Sequence, residues 1–137
     1  MRQVDTRIKV ETEGEGLFEI TDSVADWVRL EGIQQGLLTV FVAHTSCSLT
    51  IQENADPAVQ RDLLTFFRRL VPEGPIYEHS AEGPDDMPAH IKAAMMPVSL
   101  SIPVINGQLA LGTWQGIYLF EHRDRPHSRS VVAHLSR

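Results

Sequence analysis

Cysteine is almost missing from this chain. Cys47 is the one thiol in 137 residues, so no disulfide can form within it, and a reducing, cytoplasmic setting is the expected one. No apolar run approaches the roughly 20 residues of a membrane span, and the charged, alternating start (Met1–Gly16) has no apolar stretch of a signal peptide. A basic excess is absent too. The net charge is −6, which argues against broad nucleic-acid binding and against an anionic membrane surface. A local cationic pocket remains compatible with that total, so a phosphorylated small molecule stays a candidate partner. There is no internal repeat or low-complexity tract. Without a P-loop or Rossmann fingerprint, no nucleotide cofactor is expected.

What is present reads as one soluble domain over residues 1–137, with 42% hydrophobic and 22% charged residues. A chain this long buries about two-thirds of its unfolded surface. Val4, Thr6, Ile8 and Val10 alternate with charged residues and predict a half-buried strand. Leu17–Ile20 predicts a short strand. Thr21 or Asp22 is expected to cap a helix burying Val24, Trp27 and Val28, ended by Gly32 or Gly36. Residues 37–43 are expected to be a strand buried on both faces. In 46–52, Cys47, Leu49 and Ile51 take one side, and Cys47 is expected to be buried. Ser46, Ser48 and Thr50 take the other, in phase with His44, as a face suited to a ligand. Asp56-Pro57 starts a helix with an apolar stripe of Val59, Leu63, Phe66, Phe67 and Leu70. A Pro- and Gly-rich loop follows over 72–88, and Asp86 is expected to cap a short helix holding Pro88 and His90. Asn106-Gly107 predicts a type I′ hairpin, and strands follow over 115–122 and near the C-terminus. The expected fold class is α+β: antiparallel sheets packed as a sandwich with two or three helices.

The chemistry concentrates in histidine. His44, His79, His90 and His122 lie in segments rich in hydroxyls, carboxylates and chain breakers, where a core histidine is out of place. His44, His79 and His90 converging with one open position would make a catalytic-type metal site for zinc or magnesium. The same three side chains also suit the ordering of a loop. Glu53 is either a general base or a group that orients a histidine. Asp56 is read as the helix cap, and Asn54 as a turn residue or an oxyanion donor. Asp85-Asp86 offers a magnesium-binding pair or a cap. Thr45, Ser46, Asn54, Lys92, Thr113 and Gln115 supply donors for a phosphate. Lys92 also reads as an ordinary surface lysine. Trp114 is either an interface anchor or a stacking platform.

Three segments together carry a resemblance: His44–Leu63, His79–Lys92 and Leu109–Arg123. In order and spacing they resemble the YjbQ-like family of secondary thiamine-phosphate synthases, over roughly residues 5–135. The resemblance implies a compact α+β domain assembled as a homotrimer. It carries the family's motif onto His44, Thr45, Ser46, Glu53, Asn54, Asp56, His79, Asp86, His90, Lys92, Gly112, Thr113, Trp114 and Gln115. His122 departs from that pattern. The implied activity is a weak or secondary thiamine-phosphate synthesis, with His44, Glu53 and His90 as catalytic candidates. Two alternatives stand beside it. One is a hydrolase with His-bound zinc, and the other is an anion- or metal-binding protein without turnover.

Overall fold

The computed structural model describes residues 2–137. Its order is β1 (Gln3–Thr12), β2 (Gly16–Glu19), α1 (Thr21–Glu31), β3 (Gln35–Val42), β4 (Cys47–Glu53), α2 (Pro57–Leu70) and α3 (Asp86–Met95). Then come β5 (Ser99–Ile105), β6 (Gln108–Leu109), β7 (Gln115–Glu121) and β8 (His127–Ser136). All pairings are antiparallel. One sheet runs β1-β8-β3-β5-β6 and the other β2-β7-β4. This is the expected α+β fold of packed antiparallel sheets. No helix among the described residues is long and apolar enough to cross a membrane.

The alternation in β1 turns Val4, Ile8 and Val10 inward, against a core that includes Leu38, Val40, Val42, Val131, Ala133 and Leu135 of the large sheet. Leu49, Ile117 and Leu119 enter it from the small sheet, and Val24 and Val28 from α1. The hairpin turn has the predicted form, with positive φ at Asn106 and Gly107. Asp56 caps α2 by accepting from Ala58 N at 2.9 Å, with Pro57 in the first turn. Gly32 ends α1 in the left-handed conformation.

Five local expectations are corrected. β3 is not buried on both faces: Leu37 and Phe41 are exposed, because no helix covers that side of the large sheet. Neither Thr21 nor Asp22 caps α1. Ile20 takes the cap position, while the Thr21 hydroxyl bonds Glu19 and receives the Ile117 N–H. Asp86 is not a cap but the first residue of α3, turned into the protein at 2% exposure. The hydroxyl row of β4 is not open, since Ser46 and Ser48 are both buried. The stripe on α2 is not buried either: Phe66 and Leu70 are 56% and 50% exposed. Phe67 alone of that pair of phenylalanines packs edge-on against Phe120 of β7, with ring centroids 5.8 Å apart.

Candidate metal centre

α3 sets Asp86 and His90 one turn apart, so both project from one helix face. The loop before α3 folds His79 back onto that face. His79 Nε2 lies 2.7 Å from Asp86 Oδ2, and His90 Nε2 lies 3.2 Å from the same oxygen. Glu82 Oε2 is 3.3 Å from His79 Nε2. One donor atom from each of His79, Glu82, Asp86 and His90 falls within 4.8 Å of the others. In a tetrahedral site with metal–nitrogen bonds near 2.0–2.1 Å, ligand atoms stand about 3.3 Å apart. The separations from Asp86 Oδ2 therefore need little change, and the cluster could hold a divalent ion.

The His90 tautomer strengthens that reading. Its Nδ1 is 3.0 Å from the Thr45 carbonyl, which can only accept, so Nδ1 carries a proton. In a neutral ring Nε2 is then a bare lone pair directed at the Asp86 carboxylate. Two acceptors that close need a cation between them, either a proton or a metal. A backbone carbonyl holding the far nitrogen is also the usual support of a metal-ligating histidine.

Arg123, just after β7, fixes the carboxylates. Its Nη1 donates to Asp86 Oδ1 at 2.8 Å, its Nε to Asp85 Oδ2 at 2.8 Å, and its Nη2 to the Glu82 carbonyl at 3.0 Å. Burial pushes the Asp86 carboxyl up. Hydrogen bonding from His79, the positive charge that His90 carries when protonated, and the charge of Arg123 outweigh it and hold the carboxyl below its usual range. Neither Glu82 nor Arg123 stands out in the sequence. Glu82 is one more acid in a polar loop, and Arg123 acquires its role only through contacts about 40 positions away along the chain.

Beside His90 opens a cavity of about 520 Å³, lined by Phe41, Val42, Ala43, His44, Thr45, Ala93, Ala94 and Val98. Its wall is largely apolar, and His44 and His90 are its two ionisable side chains. His44 sits at its edge but outside the metal cluster, with Nε2 accepting the Ser130 N–H at 2.9 Å. β3 belongs to one sheet and β4 to the other, so residues 43–46 are a crossover, and His44 leaves the phase of the β4 hydroxyls.

The remaining predicted site residues divide into two groups. Ser46 Oγ accepts from Arg129, which is also paired with buried Glu121. Lys92 is no surface lysine: it is 3% exposed beneath α3, with Nζ 3.2 Å from Glu15 Oε2. Cys47 is wholly buried, and burial pushes its thiol up to about 12, so it stays protonated. Glu53, Asn54, Thr113 and Gln115 gather elsewhere. Cys47 of β4 pairs with Glu121 at one end, and Glu53 pairs with Gln115 at the other. Six steps along a strand separate those ends by about 20 Å. At the far end Glu53 accepts the Asp56 N–H, Gln115 accepts from Gly112 N, and the exposed Trp114 gives its carbonyl to Asn54 N. Within this chain, His79, Asp86 and His90 come together, His44 and Thr45 adjoin them, and Glu53, Asn54, Thr113 and Gln115 do not.

Comparison with known proteins places the chain in a family. The chain is 52% identical over 136 residues to the UPF0047 protein sll1880 of Synechocystis sp., covering 98% of this chain and 92% of that one. It is 47% identical to the UPF0047 protein YjbQ of Salmonella typhimurium, over 88% of each chain. A crystal structure of a YjbQ/UPF0047 family protein from Clostridium acetobutylicum superposes with a TM-score of 0.86 at 38% identity, covering 97% of this chain and 99% of that one. The sequence model of the UPF0047 protein YjbQ-like family matches residues 6–137, and the chain belongs to that family.

Proposed function

We propose that this protein is a small-molecule enzyme whose His79–Asp86–His90 centre takes a divalent metal and, beside it, the phosphate of a substrate. The observation that carries the reading is the pair of imidazole nitrogens facing one buried carboxylate oxygen at 2.7 and 3.2 Å, with the His90 tautomer fixed by the Thr45 carbonyl. Zinc suits a site of two imidazoles and a carboxylate, and magnesium suits one that leans on Asp86 and Glu82. When bound, such an ion supplies Lewis acidity to a phosphate oxygen. The chain's own part is to hold the ligands. Arg123 orients Asp86, Thr45 orients His90, and the apolar cavity accepts the organic portion of the substrate and excludes water from it.

The resemblance names the reaction to test first, a secondary thiamine-phosphate synthesis. There the carbon–oxygen bond to diphosphate on a pyrimidine methylene breaks, and a carbon–nitrogen bond to a thiazole phosphate forms. Stabilising the departing diphosphate is the main demand on the site. The second reading, metal-assisted hydrolysis, draws support from Glu82. It is an exposed carboxylate 3.3 Å from His79, placed to accept a proton from water. Glu53 suits that role less well within one subunit, given its distance along β4. We also propose that the chain assembles as a homotrimer, consistent with the exposed Leu37, Phe41 and Ile105 on the large sheet. Light scattering after size exclusion tests that stoichiometry.

Metal analysis and titration of chelator-stripped protein test the centre. About one ion per chain should bind, and H79A together with H90A should abolish it. Product formation from the two thiamine precursors, compared between wild type and the double variant, tests the synthase. Hydrolysis of phosphate esters under the same comparison tests the alternative. Stripped protein that takes up no zinc, manganese or magnesium would sink the metal reading.

A further inference from the structure

His44 is the ionisable side chain of the apolar cavity that the metal centre does not use. Ser130 donates its backbone N–H to His44 Nε2 at 2.9 Å. An amide nitrogen can only donate, so Nε2 is a lone pair and the single proton of the neutral ring sits on Nδ1. Protonating both nitrogens would set one N–H against another. Burial first, and then the charge of Arg129, hold this imidazole below its ordinary value, in keeping with a neutral ring. Nδ1 has no hydrogen-bond partner among the described residues, and His44 lines the cavity of about 520 Å³ with His90, Phe41, Ala93, Ala94 and Val98. A neutral Nδ1–H does not ligate a metal, but it does donate to an oxygen.

We propose that His44 is a fixed hydrogen-bond donor of this cavity rather than a metal ligand, and that it selects molecules carrying a phosphate oxygen on a small apolar body. This rests on the metal-centre reading for the neighbouring His90, but the donor role itself follows from the Ser130 bond. His44 acts as a ligand-positioning residue. It fixes one oxygen while the ring or chain behind that oxygen lies along Ala93, Ala94 and Val98.

The test uses phenyl phosphate as the probe, with toluene as an uncharged apolar ring that lacks the acceptor. Calorimetry is run with and without zinc on wild type, H44Q and H44F. H44F should weaken phenyl phosphate about tenfold or more, the loss expected when a bond to a charged acceptor is removed. H44Q keeps an acceptor for Ser130 and a donor for the ligand, so it should lose no more than about threefold. Toluene binding should not differ among the three proteins. Zinc affinity should be unchanged in H44Q and lost in H90A. Two-bond proton–nitrogen spectra of the wild type should show His44 protonated on Nδ1, which keeps the test decisive if H44F does not fold. The proposal is overturned by equal phenyl phosphate affinity in wild type and H44F, by no phenyl phosphate binding under either condition, by an Nε2-protonated His44, or by zinc affinity falling in H44Q as it does in H90A. A protein that binds no zinc yet still loses phenyl phosphate affinity in H44F would retire the metal reading and leave His44 standing.

Discussion

α3 separates two regions that use the same residue types in opposite ways. Two positions along a helix point in nearly opposite directions, so His90 and Lys92 face different worlds. On the His90 side the carboxylate is buried but the imidazoles are open, with side-chain exposures of 49% for His79 and 30% for His90. On the Lys92 side the histidine itself is enclosed. His122 is 1% exposed, its Nε2 lies 2.8 Å from Ser48 Oγ, and its Nδ1 has no partner. Burial, and then the charges of Lys92 and Arg129, push that imidazole down to about 3. An open histidine held by one fixed partner can take a metal, whereas an enclosed one beside a buried lysine is locked neutral. The difference lies in the surroundings, because the side chains are the same.

The largest test of this contrast is on the buried side. Glu15 pairs with both the buried Lys92 and the exposed Arg68, and E15A removes the ion-pair partner of an ammonium group only 3% exposed, leaving Asp124 as a nearby carboxylate. Removing one member of a buried pair costs about 3–5 kcal/mol. Urea unfolding of E15A should show a loss of that order, and zinc titration should show little change. In the double variant E15Q/K92M the charges are gone from both partners, so most of the stability should return. A small loss in E15A would mean that Lys92 reaches water.

His122 provides the next test, through pH. Its folded value lies below its unfolded one, so between about pH 6.5 and 3 the unfolded chain binds a proton that the folded chain refuses. Stability is therefore complete above pH 6.5 and falls as the solution becomes more acidic, by up to about 1.4 kcal/mol per pH unit from this group. His44 is shifted the same way and adds to the slope. Asp86 and buried Glu121 are depressed as well, and Asp124 is raised, but these carboxyls act mainly in and below the ordinary carboxylate range, so the histidines dominate above about pH 5. Urea unfolding at pH 7, 6.5, 6, 5.5 and 5 should give a falling series in wild type and a much flatter one in H122F. An unchanged slope in H122F would show that His122 already titrates in the folded state.

The contrast was only partly legible in the sequence. Periodicity, with cap and turn signals for α3 and the β5–β6 hairpin, locates the strands and helices among the described residues, because alternation, apolar stripes and turn chemistry are local properties. The Asp56 cap, the Gly32 stop and the Asn106-Gly107 turn were equally legible, since each is decided by neighbouring residues. What the pattern could not show is which elements cover which faces. Ser48 and Thr50 read as an open hydroxyl row, but α3 packs on β4 and closes Ser48 against His122 and Met96. β3 read as doubly buried because Leu37 and Phe41 are apolar, yet they remain exposed. At the site, polar context points to the loop from His79 to His90, whose side chains the fold gathers. Arg123 carries no signal in the sequence, because a clamp between β7 and that loop exists only after folding.

A smaller effect separates the open site from its supports. R123M removes the donors that aim Asp86 while leaving all four candidate ligands in place. Loss of such support typically lowers metal affinity by about 10–100-fold. Calorimetric zinc titration of R123M should fall in that range, against complete loss in H79A/H90A. Wild-type affinity in R123M would mean that Asp86 is oriented by its helix alone.

The smallest expected effect discriminates best between the two regions. H79A deletes a ring that is about half exposed and touches only Glu82, Asp86 and His90. Asp86 keeps Arg123 as its partner in that variant, so no enclosed charge is stranded. A surface substitution of this kind changes stability by about 0.5 kcal/mol or less. In metal-free buffer, H79A should therefore unfold at nearly the wild-type urea midpoint. Saturating zinc should then raise the midpoint of wild type and leave that of H79A where it was, because an ion that binds the folded chain stabilises only a protein able to hold it. If H79A were as damaging as E15A without metal, the loop from His79 to Asp86 would be holding the fold together, and the two faces of α3 would differ less than their geometry indicates.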